Sequence, residues 1–390
     1  MAQYTKVKII RFDKREGLIR ARIRGALAAT APTLTFLDSH VECSIGWLEP
    51  LLDRIARDPT NVACPVIEII DDNTLRYIIA PPTHVQVGGF TWRLTFNWHS
   101  IPQSEFVKRQ HPAEPVRSPT MAGGLFTIDA AFFKKLGMYD PEFEYWGSEH
   151  LELSFKTWMC GGTLEIIPCS HVGHIFRKKS PHKWTGGDSS RRNSIRLAEV
   201  WLDDYAKFFY MRTGFYKGDF GNISERVELR KNLGCKSFKW YLDNIYPEMK
   251  VPDNLGEGSI ENVGIKNWCL DSNVSENDFA GTISMYTCHN MGANQFFEYT
   301  KQFEIFKEGK CLDFDNSSAD LKMSICHNAK GNQQWIYNLT SNQFLHKAHN
   351  KCLGVDDSKK LMMNLCNESD QNQKWIFKYL YKEKFESILQ

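Results

Sequence analysis

Trp268-Cys269-Leu270-Asp271, Lys310-Cys311-Leu312-Asp313 and Lys351-Cys352-Leu353-Gly354 are three versions of one short phrase, spaced 42 and then 41 residues apart. A second cysteine (Cys288, Cys326, Cys366) follows the first by 19, 15 and 14 residues. Each copy then closes on a glutamine-rich run: Asn294-Gln295-Phe296-Phe297, Asn332-Gln333-Gln334-Trp335 and Asn372-Gln373-Lys374-Trp375. A period of this size marks small units that stack because none can bury its own apolar face. Three of them can pool Leu270, Leu312 and Leu353 with Phe297, Trp335 and Trp375 into one core, which predicts a pseudo-threefold all-β architecture. The two cysteines of each repeat are close enough to pair, and a bridge closing such a loop contributes about 3 kcal/mol.

The repeat resembles the ricin B-type β-trefoil lectin module over residues 258 to 380. In that family the Asp after Cys-Leu and an Asn and a Gln after the second Cys hydrogen-bond a galactose- or GalNAc-type sugar. The resemblance assigns Asp271, Asn290 and Gln295 to sugar in the first repeat and Asp313, Asn328 and Gln333 in the second. The third, with Gly354 in place of the Asp, is read as structural. The alternative is that all three repeats are scaffold only, since a fold does not by itself carry a function.

Residues 1 to 245 have a different grammar. Short apolar runs (Lys8-Ile9-Ile10, Leu34–Leu37, Leu164–Ile167) alternate with helical patterns at Glu16 to Ala29 and from about Arg191 to Met211. That alternation predicts an α/β layer with a largely parallel sheet. Pro247 and the Asp-Asn-Leu-Gly-Glu-Gly run after Pro252 predict a linker over 246–257. The chain of 390 residues has a formal net charge of +2, so nothing in its charge calls for nucleic acid or an anionic membrane. No apolar run is long enough to span a bilayer. Eleven cysteines, six of them in the last third, suggest disulfides and an oxidising compartment, yet no secretory signal is visible, so either the thiols are reduced or the sequence lacks its own N-terminus.

Asp38-Ser39-His40 ends the strand Leu34–Leu37. In extended backbone, residues two apart share a face, so Asp38 and His40 can reach one ion. A carboxylate oxygen with imidazole nitrogen suits Mn2+ better than an all-oxygen Mg2+ cage or a sulfur-lined zinc site. A second strand runs from Leu164 into His171-Val172-Gly173-His174-Ile175-Phe176-Arg177-Lys178, offering His174 as a third ligand and two cations for a pyrophosphate. The bland readings are a solvated strand end, ordinary histidines and a solvated basic pair. Between these lies Tyr145-Trp146-Gly147-Ser148-Glu149-His150, leading into a helix whose predicted inner face is Leu151, Ser154, Phe155 and Trp158. Trp146 offers a platform for a sugar ring. Glu149 either binds a sugar hydroxyl or stabilises an oxocarbenium-like centre, or it only complements the helix dipole. Gly123-Gly124 and Gly88-Gly89-Phe90-Thr91-Trp92 mark close backbone approach, a turn or a bulge.

Taken together, these segments resemble the polypeptide N-acetylgalactosaminyltransferases, which begin mucin-type O-glycosylation. Arg15-Glu16-Gly17-Leu18, Asp38-Ser39-His40, Gly46-Trp47-Leu48-Glu49-Pro50, Trp146–Phe155 and Val172-Gly173-His174 carry the likeness. It implies a GT-A-like nucleotide-sugar domain over 1–245, then the linker and the trefoil. It implies Asp38, His40 and His174 as Mn2+ ligands, and Arg15 and Ser39 against UDP. Gly123, Gly124, Trp146 and Glu149 are expected at the sugar and Arg177 at the pyrophosphate. Phe90, Trp92 and Phe176 are expected to receive the acceptor peptide. The implied reaction moves GalNAc from UDP-GalNAc to Ser or Thr hydroxyls of polypeptides and glycopeptides, with retention, in the Golgi lumen. Sugar binding by a degenerate transferase is the alternative. A zinc hydrolase is a remote third, for want of a His-Glu-x-x-His motif.

The resemblance also implies a Cys160–Cys235 disulfide. It further implies that a membrane anchor, a stem and the first strands of the sheet precede this chain, with the partner of Cys169 among them. Ser148 and His150 stand where Gly and Asn are usual, and Ser180 and His182 where a His and an aromatic are common, so donor grip and loop closure are the functions these departures touch.

Overall fold

The computed structural model describes residues 4–81, 85–176, 189–275 and 278–389. The chain divides into two compact units, 1–206 with 217–250, and 207–216 with 251–390. The division falls at Lys250/Val251, inside the span predicted as linker, but the short segment Lys207–Tyr216 groups with the second unit, which sequence pattern did not indicate. Among the described residues no helix is long and apolar enough to cross a membrane.

In the first unit the chain order is α1 (Leu18–Ala28), β1 (Thr33–Phe36), β2 (Val41–Cys43), α2 (Glu49–Arg57), β3 (Asn61–Ile70), β4 (Tyr77–Ile78), β5 (Gln86–Phe90) and β6 (Phe96–Ser100). Then come α3 (Gln103–Phe106), β7 (Val116–Arg117), β8 (Phe126–Asp129), α4 (Ala130–Lys135), α5 (Glu149–Met159), β9 (Thr163–Ile175) and α6 (Ser189–Trp201). The main sheet runs β1-β8-β3-β9-β2. The expectation of a largely parallel sheet is corrected: β3 and β9 are parallel, whereas the β1–β8, β3–β8, β2–β9, β3–β4 and β7–β9 pairs are antiparallel. A parallel pair needs a crossover, and β3 and β9 are joined by one that carries α3, α4 and α5. The alternation of strand and helix in sequence overstated how many helices serve that purpose.

The β3–β9 register slips between Pro65 and Val66, so that Pro168-Cys169-Ser170 bulge from β9. Beyond the bulge His174 lies opposite Ile69 on one side and Val41 on the other. Helix α5 is buried along its whole length rather than on one face. Its Lys156 ammonium contacts Glu152 at 2.8 Å, and neither group is reached by solvent. The helix predicted from Arg191 to Met211 is broken at Asp203, which sits in a left-handed conformation. The Asp203 carboxylate there accepts Arg230 at 2.7 and 3.0 Å and the Phe238 N–H at 2.7 Å, which holds the break.

In the second unit the predicted core forms as a single cluster. Leu270, Leu312, Leu353, Phe297, Trp335 and Trp375 are all completely buried in it. The indole N–H of Trp335 donates to the Leu312 carbonyl, and that of Trp375 to Leu353, both at 2.8 Å, so each tryptophan ties the end of its repeat to the beginning. The helix Lys382–Leu389, past the predicted boundary at 380, seals the same core with Phe385. Disulfides join Cys269–Cys288, Cys311–Cys326 and Cys352–Cys366, one within each repeat, and Cys160–Cys235 in the first unit. Replacing Cys311 and Cys326 together by serine is expected to lower the unfolding free energy of this unit by about 3 kcal/mol, read from its chemical-denaturation midpoint.

Candidate active site

The segment between β1 and β2 carries Asp38, Ser39 and His40, and β9 brings His174 to it through the Val41–His174 pairing. One ligand atom from each of Asp38, His40 and His174 lies within 4.8 Å of the others. His174 Nε2 is 3.5 Å from Asp38 Oδ2, and the His40 and His174 rings are 4.5 Å apart. Burial pushes the Asp38 carboxyl upward, but the hydrogen bond from His174 and the charges of Arg22, His174 and His40 outweigh it, leaving its pKa below the ordinary value of 3.8. Asp38 is therefore held ionised. His174 Nδ1 is buried with no hydrogen-bond partner. One carboxylate and two imidazoles whose donor atoms converge form a set that fits a divalent cation.

Arg22 organises this site. It projects from α1 and is 8% exposed. Its guanidinium donates to Asp38 Oδ1 at 3.0 Å, to the Gly124 carbonyl at 2.9 Å and to the Gly123 carbonyl. The glycine pair is thereby pulled against the acid: a Cβ on Gly124 would lie 2.5 Å from Asp38 Oδ2. Gly123 has φ +85°, and a Cβ there would lie 2.4 Å from that of His150. Arg22 escaped the sequence reading, although it shares an otherwise apolar helical stripe with Ile19, Ile23 and Ala26. An arginine in such a stripe is a signal that a partner is buried with it.

The Arg15–Leu18 and Tyr145–Glu149 motifs, far apart in sequence, dock on each other. The Leu18 N–H donates to the Tyr145 carbonyl at 2.8 Å, and the Arg15 guanidinium lies 5.6 Å from the Tyr145 ring centre. Gly17 permits the approach, since a Cβ on it would lie 2.3 Å from Tyr145 Cα. Asn193, completely buried on α6, clamps the same loop, accepting the Glu144 N–H at 2.9 Å and donating to the carbonyls of Glu144, Trp146 and Gly147. Nothing in the sequence marked it. Trp146 is half exposed, whereas Glu149 is 3% exposed with Oε2 accepting the Gly147 N–H at 2.8 Å. Ser148 takes a left-handed conformation with φ 68° and hydrogen-bonds Ser194 at 2.9 Å. His150 is buried, which disfavours its charged form and lowers its pKa.

Phe90 and Trp92 do not stand where a peptide could meet them. They are 1% and 6% exposed. Phe90 packs edge-on to Phe155, and Trp92 stacks on Tyr205 and donates its indole N–H to the Lys250 carbonyl. Their assignment as acceptor contacts is corrected to core under α5. The adjoining Gly88 is a site of close backbone approach, 2.4 Å from its Cβ position to the Thr120 carbonyl oxygen. Phe176 is 46% exposed beside His174, and Arg15 and Ser39 are exposed. Arg177, Lys178, Ser180 and His182 lie outside the described residues.

In the trefoil, Gln295, Gln333 and Gln373 play one structural part. Each side-chain oxygen accepts the N–H that follows the second cysteine (His289, His327, Asn367), and each amide donates to the carbonyl preceding it (Thr287, Ile325, Leu365). Gln295 and Gln333 also donate to Asp271 and Asp313, at 3.2 and 2.9 Å. These glutamines therefore hold the acids in place. Asn332, a residue the sequence reading did not single out, bonds Asp313 at 2.7 Å. Asn328 and its counterpart Asn290 are left-handed turn residues, and Asn290 accepts from Lys378. Tyr286, 61% exposed, sits across from Cys269 on the strand opposite Asp271, where the other repeats have Ser324 and Asn364.

A metal-competent acid and histidine pair at the end of a mixed sheet, followed by a three-repeat trefoil, define a GT-A glycosyltransferase with a ricin-type lectin domain. Family models agree: glycosyl transferase family 2 matches residues 1–133, the N-terminal domain of galactosyltransferase 105–183, and the ricin-type beta-trefoil lectin domain 256–375. Polypeptide N-acetylgalactosaminyltransferase 5 of Caenorhabditis elegans is 55% identical over 91% of this chain and 57% of its own length. Polypeptide N-acetylgalactosaminyltransferase 12 of Mus musculus is 44% identical over 90% of the chain and 62% of its own. A crystal structure of GalNAc-T7 with UDP, GalNAc and Mn2+ matches with a TM-score of 0.78 and 32% identity, covering 95% of this chain and 70% of that one. The chain belongs to the polypeptide N-acetylgalactosaminyltransferase family. It spans between half and two thirds of the length of those two curated relatives.

Replacing Arg22 by methionine leaves Asp38 and two carbonyls without their donor, and is expected to cost about 3 kcal/mol of stability by thermal or chemical unfolding. Because the folded pKa of Asp38 is lowered, the stability it contributes is complete above 3.8, its ordinary value, and disappears as pH falls through the folded pKa. The Arg22→Met difference should therefore shrink on acidification below pH 3.8.

Proposed function

We propose that this protein, in its complete form, transfers GalNAc from UDP-GalNAc to Ser or Thr hydroxyls of polypeptides and glycopeptides, with retention at the anomeric carbon, in the Golgi lumen. The observation that carries the reading is the convergence of Asp38, His40 and His174 within 4.8 Å in a chain of this family. Mn2+ is the ion proposed there, in line with the donor set and with the ion present in GalNAc-T7. When bound, it supplies positive charge to a departing diphosphate.

The chain's own residues supply position. Arg22 holds Asp38 charged and fixes the Gly123–Gly124 backbone beside it, so that a sugar can lie against peptide atoms rather than side chains. Trp146, held by Asn193 through its carbonyl, provides an exposed ring for the sugar face. Ser39 and Arg15 are available to the nucleotide. Glu149 orients the turn before α5 through Gly147, and its second oxygen is proposed to meet a sugar hydroxyl. No protein base is required if the leaving phosphate oxygen takes the acceptor proton.

In the trefoil, sugar of the GalNAc or galactose type is proposed at the first repeat. It combines Asp271 with the exposed Tyr286 ring, and the other two repeats lack an aromatic at that position.

The full-length protein should release UDP in the presence of a Ser/Thr peptide and Mn2+. Asp38→Ala and His174→Ala should each lower turnover by at least about 100-fold, and chelation should abolish it reversibly. Retention on GalNAc resin with no UDP affinity would replace this reading by that of a sugar-binding protein. Asp271→Ala and Tyr286→Ala should each remove resin retention and leave turnover on short unglycosylated peptides intact.

A further inference from the structure

Asn367 follows Cys366 directly, at the position held by His289 and His327 in the other two repeats. In those repeats the imidazole Nδ1 accepts the N–H two residues on, from Met291 at 3.1 Å and from Ala329 at 3.0 Å. Asn367 builds the same turn with its side-chain oxygen, which accepts the Ser369 N–H at 3.0 Å. Ser369 is also the residue that makes Asn367-Glu368-Ser369 an acceptor sequence for N-linked glycosylation. The backbone of Asn367 is fixed on both sides: its N–H donates to Gln373 Oε1 at 2.9 Å, and its carbonyl accepts from Gln343 at 3.0 Å. Both Asn367 and Ser369 are exposed. With Oδ1 engaged in the turn, Nδ2 is the end of the amide left to react.

The surroundings of Asn367 have no means of holding a free sugar. Gly354 replaces the acid, and a Cβ there would already lie 3.2 Å from the Gln373 side chain. Asn364 occupies the place of Tyr286. Leu365, one residue before Cys366, is 76% exposed, an apolar surface on which the first sugar rings of an attached oligosaccharide can lie.

We propose that Asn367 carries an N-linked oligosaccharide, so that the repeat unable to bind a sugar bears one covalently. The bond forms between Asn367 Nδ2 and the anomeric carbon of a lipid-diphosphate-linked oligosaccharide. The carbon–oxygen bond to the diphosphate breaks, the lipid diphosphate leaves, and Nδ2 gives up one proton. The catalyst is a separate membrane oligosaccharyltransferase. The proposal rests on the lumenal placement given above, and it assigns to the third repeat a modification rather than a ligand. Of the other acceptor sequences, Asn222 and Asn338 build the same turn, accepting the Ser224 and Thr340 N–H groups at 2.8 Å, and Asn316 has its side-chain oxygen on Lys351 at 2.9 Å instead. Asn367 differs in standing where the other repeats carry a histidine beside an acid.

The test is peptide mass spectrometry of the full-length protein purified from its natural source, before and after enzymatic deglycosylation in heavy-oxygen water. The expected result is an Asn367 peptide recovered only after deglycosylation, as heavy-oxygen-labelled Asp. In the Asn367→Gln variant, produced by secretory expression, the protein should lose the mass of one oligosaccharide with GalNAc-resin retention unchanged. An Asn367 peptide found mainly unmodified overturns the proposal. Asn338-Leu339-Thr340, whose turn is also exposed, separates the two levels of failure. Glycosylation at Asn338 or at any of Asn222, Asn273 and Asn316 with bare Asn367 removes this proposal alone, whereas bare asparagine at all five acceptor sequences removes it and counts against the lumenal placement as well.

Discussion

The hydrogen bonds of the Arg22 guanidinium are the interaction on which the first unit depends. One guanidinium satisfies an acid and two backbone carbonyls, all in surroundings where an unpaired charge would be costly. The chemistry of lysine would not serve, because its point charge lacks the planar fork that spans the acid and the adjacent peptide groups. The consequence reaches outward through geometry. Asp38 is fixed by Arg22, the glycine pair is fixed against Asp38, and His150 is fixed against Gly123. A substitution at any of these is therefore a substitution in the candidate cation site, even where the side chain itself belongs to none of the three proposed ligands.

The trefoil is built on a similar economy. The repeated glutamine closes each unit by bridging the two ends of its turn, and it does so equally in the repeat that has no acid. The first two repeats add an acid held by that glutamine, and the first alone has an aromatic, Tyr286, at the position facing Cys269. This separates the scaffold that all three repeats share from the groups proposed to meet a sugar.

Much of this was legible in the sequence because it is periodic or local. Asp38 and His40 are near neighbours in sequence, although they meet in the bend between β1 and β2 rather than along a strand, and the cysteine and tryptophan spacing defines the trefoil core. What stayed hidden is what depends on register and direction. The antiparallel entries of β2 and β8 cannot be read from alternation alone. The burial of Phe90 and Trp92 follows from α5 being covered on every side, which a pattern with Glu152 and Lys156 in it conceals. The turn after the second cysteine sets Asn332 on the acid and Asn328 in a left-handed corner, a choice between neighbouring asparagines that spacing alone does not make.

That covered helix has a kinetic corollary. With no face left to water, α5 gains little from forming early. Its Glu152–Lys156 pair can leave solvent only when sheet, α6 and the Phe238–Asn244 helix are all present to receive it. Contacts of such long sequence separation slow folding, so a nascent chain should hold this segment exposed until the residues around 240 have been synthesised.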